Sequence, residues 1–285
     1  MGIPARPVLR WFGGKWKLAP WILSHFPAHR VYVEPFGGAG SVLMRKPRSY
    51  CEVYNDIDCE VVNLFRVLRD PGQAARLIAD LELTPFSRDE FIAAYEPAED
   101  PVELARRLVM RSFMGFGSNG HNSKRRTGFR ANSNRSGTTP AHDWRNYPGC
   151  LTETIERLRG IVVENRDYAE VIAAHDGAQT LVYADPPYVM ETRSRGNIYD
   201  AKYGGYTHDF RDDADHERLA DVLHGSTSMV ILSGYPSPLY ERLFGDWKII
   251  TTRALADGAR ERSEVLWLNS RAASALQPTL LDGAA

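Results

Sequence analysis

Between residues 31 and 56 the sequence admits few folds. Val31-Tyr-Val-Glu-Pro-Phe36 reads as a short buried strand running into the turn Gly37-Gly-Ala-Gly40. Residues 41–46 read as a helix and Glu52-Val-Tyr-Asn-Asp56 as a second strand, followed by a helix through Val61, Leu64, Phe65 and Leu68. Strand, glycine turn, helix and strand in that order open a parallel sheet. The alternation returns at Thr152, with a helix to Arg159, a strand at 161–164, a helix from Tyr168 and a strand at 180–184. A helix at 215–224 and a strand at 228–233 follow. Strands at 247–252 and 264–269 then succeed each other without a helix between them, which predicts an antiparallel hairpin at a sheet edge.

From Asp70 to Gly149 that rhythm is broken, and the segment reads as helices and loops. Ser87-Arg-Asp-Glu90 ahead of Phe91 is a capping box, and Pro101 suits the first turn of a helix running to Met114. Residues 115–148 are rich in Gly, Ser, Asn and Arg; an irregular segment of that length inside a domain is usually functional or mobile. The expected organisation is one α/β sheet in two parts, residues 1–70 and 151–285, around a helical insertion at 71–150.

Composition excludes several classes. No apolar run approaches a membrane span, and the first ten residues carry Arg6 and Arg10 without an apolar stretch. A cytoplasmic protein without a signal peptide is expected. Three cysteines (Cys51, Cys59 and Cys150) form no CxxC pair and the eight histidines are scattered, so neither a disulfide framework nor a metal site is expected. The net charge of −1 is unevenly spread. Residues 104–142 hold no Asp or Glu but include Arg106, Arg107, Arg111, Lys124, Arg125, Arg126, Arg130 and Arg135, a localised basic footprint. The plainer reading, charges paired with acids elsewhere, is the better one for any single arginine.

Three motifs carry chemistry. Glu34-Pro-Phe-Gly-Gly-Ala-Gly40 falls at the carboxyl end of the first strand, where open α/β sheets bind ligands, and Asp56 ends the next strand, where a ribose diol could be held. Alone this is a generic nucleoside signal, and its spacing is not that of a dinucleotide site. Asp185-Pro-Pro-Tyr188 directly follows the apolar run 181–184 and is more specific. Pro186 and Pro187 stop the strand ladder, leaving the Asp185 carboxylate and the Pro186 carbonyl as two acceptors for one exocyclic amine. Tyr188 offers a ring to stack on the base that bears the amine. An exocyclic amine is a poor nucleophile because its lone pair is delocalised, and acceptors at its two protons free that pair. Asp185 is also a candidate proton acceptor. Arg10-Trp-Phe-Gly-Gly-Lys15 is the third motif; taken alone it reads as an untethered segment.

Arg-Trp-Phe-Gly-Gly-Lys, Glu-Pro-Phe-Gly-Gly-Ala-Gly-Ser, Tyr-Asn-Asp and Asp-Pro-Pro-Tyr, in that order, resemble the Dam-type DNA adenine methyltransferases of bacteria and phages. The resemblance runs over residues 9–268 and implies a Rossmann-like class I S-adenosylmethionine-dependent methyltransferase sheet. Its motif order is that of the alpha group, which makes residues 71–150 the target-recognition region. By motif it implies cofactor contacts from Trp11, Lys15, Glu34, Pro35, Phe36, Gly37, Gly38, Gly40, Ser41 and Asp56, from Asp167 and Tyr168 in Asn165-Arg-Asp-Tyr168, and from Asp185. The catalytic motif is Asp185, Pro186, Pro187 and Tyr188. Residues 189–210, with Tyr199, Tyr203 and Tyr206, resemble a loop that orders on DNA; tyrosines packing locally in an exposed loop is an equal reading. Arg111, Asn119, Asn122, Lys124, Arg125, Arg126 and Arg130 are candidate groove or phosphate contacts.

The function these readings imply is methylation of the adenine 6-amino group in double-stranded DNA, with the base flipped out of the helix. The partners expected are S-adenosylmethionine and DNA, with no metal and no membrane, acting as a monomer or a weak dimer on DNA. Cytosine 4-amino methylation, an RNA target and a non-catalytic DNA-binding protein on the same fold are the alternatives.

Overall fold

The structure, a computed structural model, describes residues 3–124, 126–132, 137–193, 207–255 and 261–276. Five parallel strands, β1 (Val31–Glu34), β2 (Cys51–Asn55), β3 (Ile161–Glu164), β4 (Thr180–Ala184) and β5 (Met229–Gly234), are extended by the hairpin of β6 (Lys248–Leu255) and β7 (Glu261–Leu268). The strand order is β3-β2-β1-β4-β5-β7-β6. The expected hairpin is present, with β7 paired to β5 and β6 left as the edge. β6 ends three residues later and β7 begins three residues earlier than the sequence pattern suggests, because Arg253–Leu255 pair with Glu261–Ser263.

Val31 is in register with both Cys51 and Thr180, so Glu34, Asn55 and Ala184 finish at one edge. The crossovers reverse direction between β1 and β4, which opens a crevice at that edge. Side chains alternate across the sheet with period two. Tyr32, Tyr54, Tyr183 and Ile231 face one core, and Val33, Val53, Val182 and Leu232 face the other. The second core is closed by the helices Tyr168–Ala174, Asp213–Gly225 and Pro238–Phe244. The last of these is not among the elements expected from the sequence, although its signals are ordinary. Ser237 Oγ accepts from the Tyr240 amide at 3.1 Å, and Pro238 occupies the first turn.

The insertion supplies the helices Pro71–Leu83, Arg88–Ala93, Pro101–Met114 and Pro140–Arg145. The capping box is formed, with Ser87 Oγ accepting from the Glu90 amide at 3.1 Å. Helix Cys59–Arg69 buries six apolar side chains around its circumference, so it packs on the sheet and on the insertion at once. Leu77, Phe91, Leu108, Trp144 and Tyr147 accordingly share the core of Tyr32 and Leu43. After Met114 the chain makes a narrow turn closed by one bridge, Gly115 to Phe129.

One buried ion cluster ties the first crossover to the resumption of the sheet. Arg157 donates to Glu52 Oε2 at 2.6 Å and Oε1 at 2.9 Å, and also to the Leu43 carbonyl at 2.7 Å. Lys46 Nζ donates to Glu52 Oε1 at 3.0 Å. All three side chains are at most 6% exposed.

Candidate active site

The glycine loop is held from below by β2. Tyr54 donates its hydroxyl proton to the Gly38 carbonyl at 2.6 Å, and the Gly37 amide donates to the Asn55 carbonyl at 2.8 Å. Asn55 Nδ2 donates to the Pro35 carbonyl at 2.9 Å. The glycines answer to protein packing. An alanine Cβ at position 37 would lie 2.1 Å from the Tyr54 ring, and one at 38 would lie 2.5 Å from Trp11 Nε1. Gly38 and Gly40 have φ of +48° and +62°, the left-handed region in which side chains are strained. Gly40 starts the helix Ser41–Arg45 and stands outside the cleft lining, whereas Gly37, Gly38 and Ser41 lie in it.

Two acids floor the cleft. Glu34 Oε2 accepts from the Tyr32 hydroxyl at 2.7 Å and from the Leu43 amide at 3.0 Å. Burial pushes its pKa up to about 8, with the Asp185 charge adding to the rise, so a cationic group placed beside it would draw it into the ionised form. Asp56 accepts from the Gly38 amide at 2.7 Å and the Asp58 amide at 2.8 Å, and burial raises its pKa to about 6. Each of its oxygens keeps a lone pair, enough to accept hydroxyl donors.

An aromatic wall completes the cleft. Phe36 lies 5.0 Å from Tyr168 and 5.9 Å from Phe210 between ring centroids, and all three line it. Asp167 lines it as well, but with a partner the sequence did not reveal. Its carboxylate takes a bidentate pair from Arg218 at 2.8 and 3.0 Å while capping the helix that begins at Tyr168. Arg218 in turn lies 4.8 Å over the Tyr168 ring.

The N-terminal motif is firmly attached, contrary to the reading of it in isolation. Tyr147 donates to the Val8 carbonyl at 2.7 Å, and Ser112 Oγ exchanges hydrogen bonds with the Arg10 backbone at 2.8 and 3.0 Å. Trp11 stacks on His121 of the insertion at 4.0 Å and borders the cleft. Lys15 is 5% exposed, and its ammonium sits 2.9 Å from Asp185 Oδ1 at the catalytic motif. The same ammonium lies 4.6 Å from the centroid of Tyr188.

Asp185 and Pro187 line the cleft at the end of β4, whereas Pro186 and Tyr188 stand outside its lining. Tyr188 is 7% exposed, with its hydroxyl bonded to Ser233 Oγ at 3.0 Å and to Glu264. Its ring is therefore less open than a stacking platform implies, with Lys15 and the edge of Tyr235 against it. Burial raises the Asp185 pKa, Lys15 opposes that rise, and Glu264 adds to it.

The basic stretch divides sharply, and three of its assignments to DNA need correction. Arg111 is 4% exposed and spent inside the protein, on Glu60 at 2.5 Å and the Ala94 carbonyl at 2.7 Å. Arg130 is 8% exposed and donates to the Phe113 carbonyl at 3.1 Å. Asn122 is 4% exposed, with its side-chain oxygen accepting from the Lys124 amide at 2.9 Å. Buried side chains already bonded within the protein are poorly placed to reach DNA, so Arg111, Arg130 and Asn122 hold the turn in shape. Arg106 and Arg107 are likewise paired, both with Glu103 at 2.6 Å. Lys124 and Arg126 are exposed. Arg125 and Arg135 lie outside the described residues, as do Tyr199, Tyr203 and Tyr206, and the Asn119 side chain is not described.

Among the described residues no cluster of His, Cys, Asp and Glu could hold a metal, and no helix is long and apolar enough to cross a membrane. The three cysteines are free thiols.

Known proteins are similar to this chain in sequence. The Type II methyltransferase M1.LlaDCHI of Lactococcus lactis subsp. cremoris is 28% identical over 284 residues, which cover 92% of each chain. The DNA adenine methylase of Escherichia coli K12 is 29% identical over 191 residues, 64% of this chain and 65% of that one. The enzyme of the same name from Serratia marcescens is 26% identical over 77% of this chain and 78% of its own. The family model described as D12 class N6 adenine-specific DNA methyltransferase matches residues 11–255. That match starts at the tryptophan bordering the cleft, spans the whole insertion and ends on β6, so the chain belongs to the D12 class of N6 adenine-specific DNA methyltransferases.

Proposed function

We propose that the methyl donor is S-adenosylmethionine, bound in the crevice between β1 and β4, and that the acceptor adenine is swung out of duplex DNA onto Asp185. The observation that carries this reading is that Asp185 closes a cleft already walled by Glu34, Asp56 and Phe36. Buried acids beside aromatic rings suit a cationic nucleoside, so the residues present fit the group. The donor, when bound, supplies an electrophilic methyl on a sulfonium.

The remaining work falls to side chains of this protein. Glu34 would offer a carboxylate to the cationic donor, Asp56 would accept from ribose hydroxyls, and Phe36, Tyr168 and Asp167 would help to hold its base. Asp185 and the Pro186 carbonyl accept from the adenine 6-amino group, which restores its lone pair, and Asp185 is the acceptor for the proton that the nitrogen sheds. A paired adenine cannot reach a cleft at the sheet edge, and base flipping removes that obstacle.

The test is incorporation of labelled methyl from S-adenosylmethionine into unmethylated genomic DNA, followed by nucleoside analysis. Label in 6-methyladenine is the expected result. Label in 4-methylcytosine, or none, would reject the reading.

Residues 71–150 then form the target-recognition insertion, with Lys124 and Arg126 on its exposed surface. Lys124→Ala with Arg126→Ala is expected to weaken DNA binding and to flatten log K against log salt by about 1.8, the release of two counterions. An unaltered slope in fluorescence anisotropy titrations would place those cations away from the phosphates.

A further inference from the structure

No motif pointed to Glu264, yet it touches more of the catalytic motif than any cleft acid does. It lies on β7 next to Val265, the partner of Gly234 at the end of β5, and it is 2% exposed. Burying a carboxylate on an apolar strand costs several kcal/mol unless it is paired and hydrogen-bonded, so its partners are telling. Oε1 accepts from the Tyr188 hydroxyl and from Ser233 Oγ at 3.1 Å, and lies 3.6 Å from Lys15 Nζ. Lys15 Nζ also donates to the Gly13 carbonyl at 2.9 Å and pairs with Asp185 at 2.9 Å. The N-terminal turn, the catalytic tetrapeptide and β7 thus meet at one ammonium shared by two carboxylates.

Sharing matters for the reaction proposed above, on which this inference rests. An ammonium given wholly to Asp185 would compete with the target amine for the same oxygens. A second carboxylate holds the ammonium back.

We propose that Glu264 is a positioning residue for methyl transfer: it fixes the Tyr188 hydroxyl and shares Lys15 with Asp185, so that Asp185 stays available to the target amine. The groups with charge or a titratable proton that face Asp185 are Lys15, Glu34 from β1, Tyr183 and Tyr188 on its own segment, Tyr240 and Glu264. Glu264 raises the proton affinity of Asp185 and Lys15 lowers it. Removing the Glu264 charge therefore moves the acid limb of the kcat profile to lower pH.

The experiment measures kcat, KM for S-adenosylmethionine and the pH profile of wild type, Glu264→Gln and Glu264→Asp on the same DNA. Glu264→Gln is expected to lose between about ten- and a hundredfold in kcat, to keep KM within about threefold of wild type, and to shift the acid limb downward. Glu264→Asp keeps the charge, so its acid limb stays at the wild-type pH although kcat falls. This variant also decides the matter should Glu264→Gln not fold, because a limb displaced in Glu264→Asp contradicts the charge argument. Full kcat with an unmoved limb in Glu264→Gln overturns the positioning role alone. A wild type that binds the donor but labels no DNA overturns the functional reading and this inference with it.

Discussion

Asp185→Ala is expected to lower the rate of methyl transfer by about a hundred- to a thousandfold while leaving S-adenosylmethionine binding measurable. The magnitude is that of removing a preorganised group aimed at charge developing in the transition state. Asp185 is placed by the end of β4 and held by Lys15 at 2.9 Å, so it enters the reaction without reorganising. Glu34 and Asp56, the cleft acids proposed to hold the donor, hang from other strands and keep their hydrogen bonds in the variant. Lys15 keeps Glu264 at 3.6 Å as a counter-ion, which protects the fold. Asp185→Asn retains one acceptor oxygen but no charge, and its rate should fall between the two. Because burial raises the Asp185 pKa, the acid limb of wild-type kcat should lie above the usual carboxylate range. Calorimetric titration of donor binding beside single-turnover methylation checks both halves. Transfer within tenfold of wild type would remove Asp185 from the chemistry.

What the sequence disclosed follows from the range of the interactions involved. β1, the glycine turn and β2 were legible because apolar runs and turn residues act over a few positions. Asp185-Pro-Pro-Tyr188 was legible because two prolines end a strand at a known place. Pairings across the chain were not. Arg111 looked like a groove contact until Glu60, 51 residues away, appeared beside it. Asp167 lines the cleft as expected, but the fork it receives from Arg218, again 51 residues distant, has no sign in the sequence. Lys15 lines the cleft too, and the fold also pairs it with Asp185, 170 residues on. A charge in a sequence carries no record of its counter-ion, so the groove contacts expected of Arg111 and Arg130 are the ones that internal pairing takes away. The glycines make the same point in steric form. Nothing local in the sequence tells that Tyr54 and Trp11 fill the space a Cβ would need at Gly37 and Gly38.

Glu52→Gln should be the most damaging single change to stability away from the cleft, at about 3–5 kcal/mol near neutral pH. That is the cost of leaving buried charges without their partner. Glu52 is the sole carboxylate hydrogen-bonded to both Lys46 and Arg157 among the described residues, and all three are at most 6% exposed. The glutamine has the same shape, so packing is preserved and the loss reports charge. Burial already lowers the Lys46 pKa, with Glu52 opposing the fall. Without Glu52 the folded pKa drops further, and the folded state binds fewer protons than the unfolded one between that value and about 10.4. Stability rises with pH wherever the unfolded state binds more protons, so the deficit of the variant should shrink as pH climbs from 7 toward 10. Lys46→Met with Glu52→Gln should show no such recovery, since the titrating group is gone. Urea midpoints at pH 7 and pH 9.5, read at constant m-value, test this. A deficit that does not change with pH would mean that the Pro47 carbonyl and Ser49 Oγ, each already accepting from Lys46 at 2.6 Å, suffice to keep its ammonium charged.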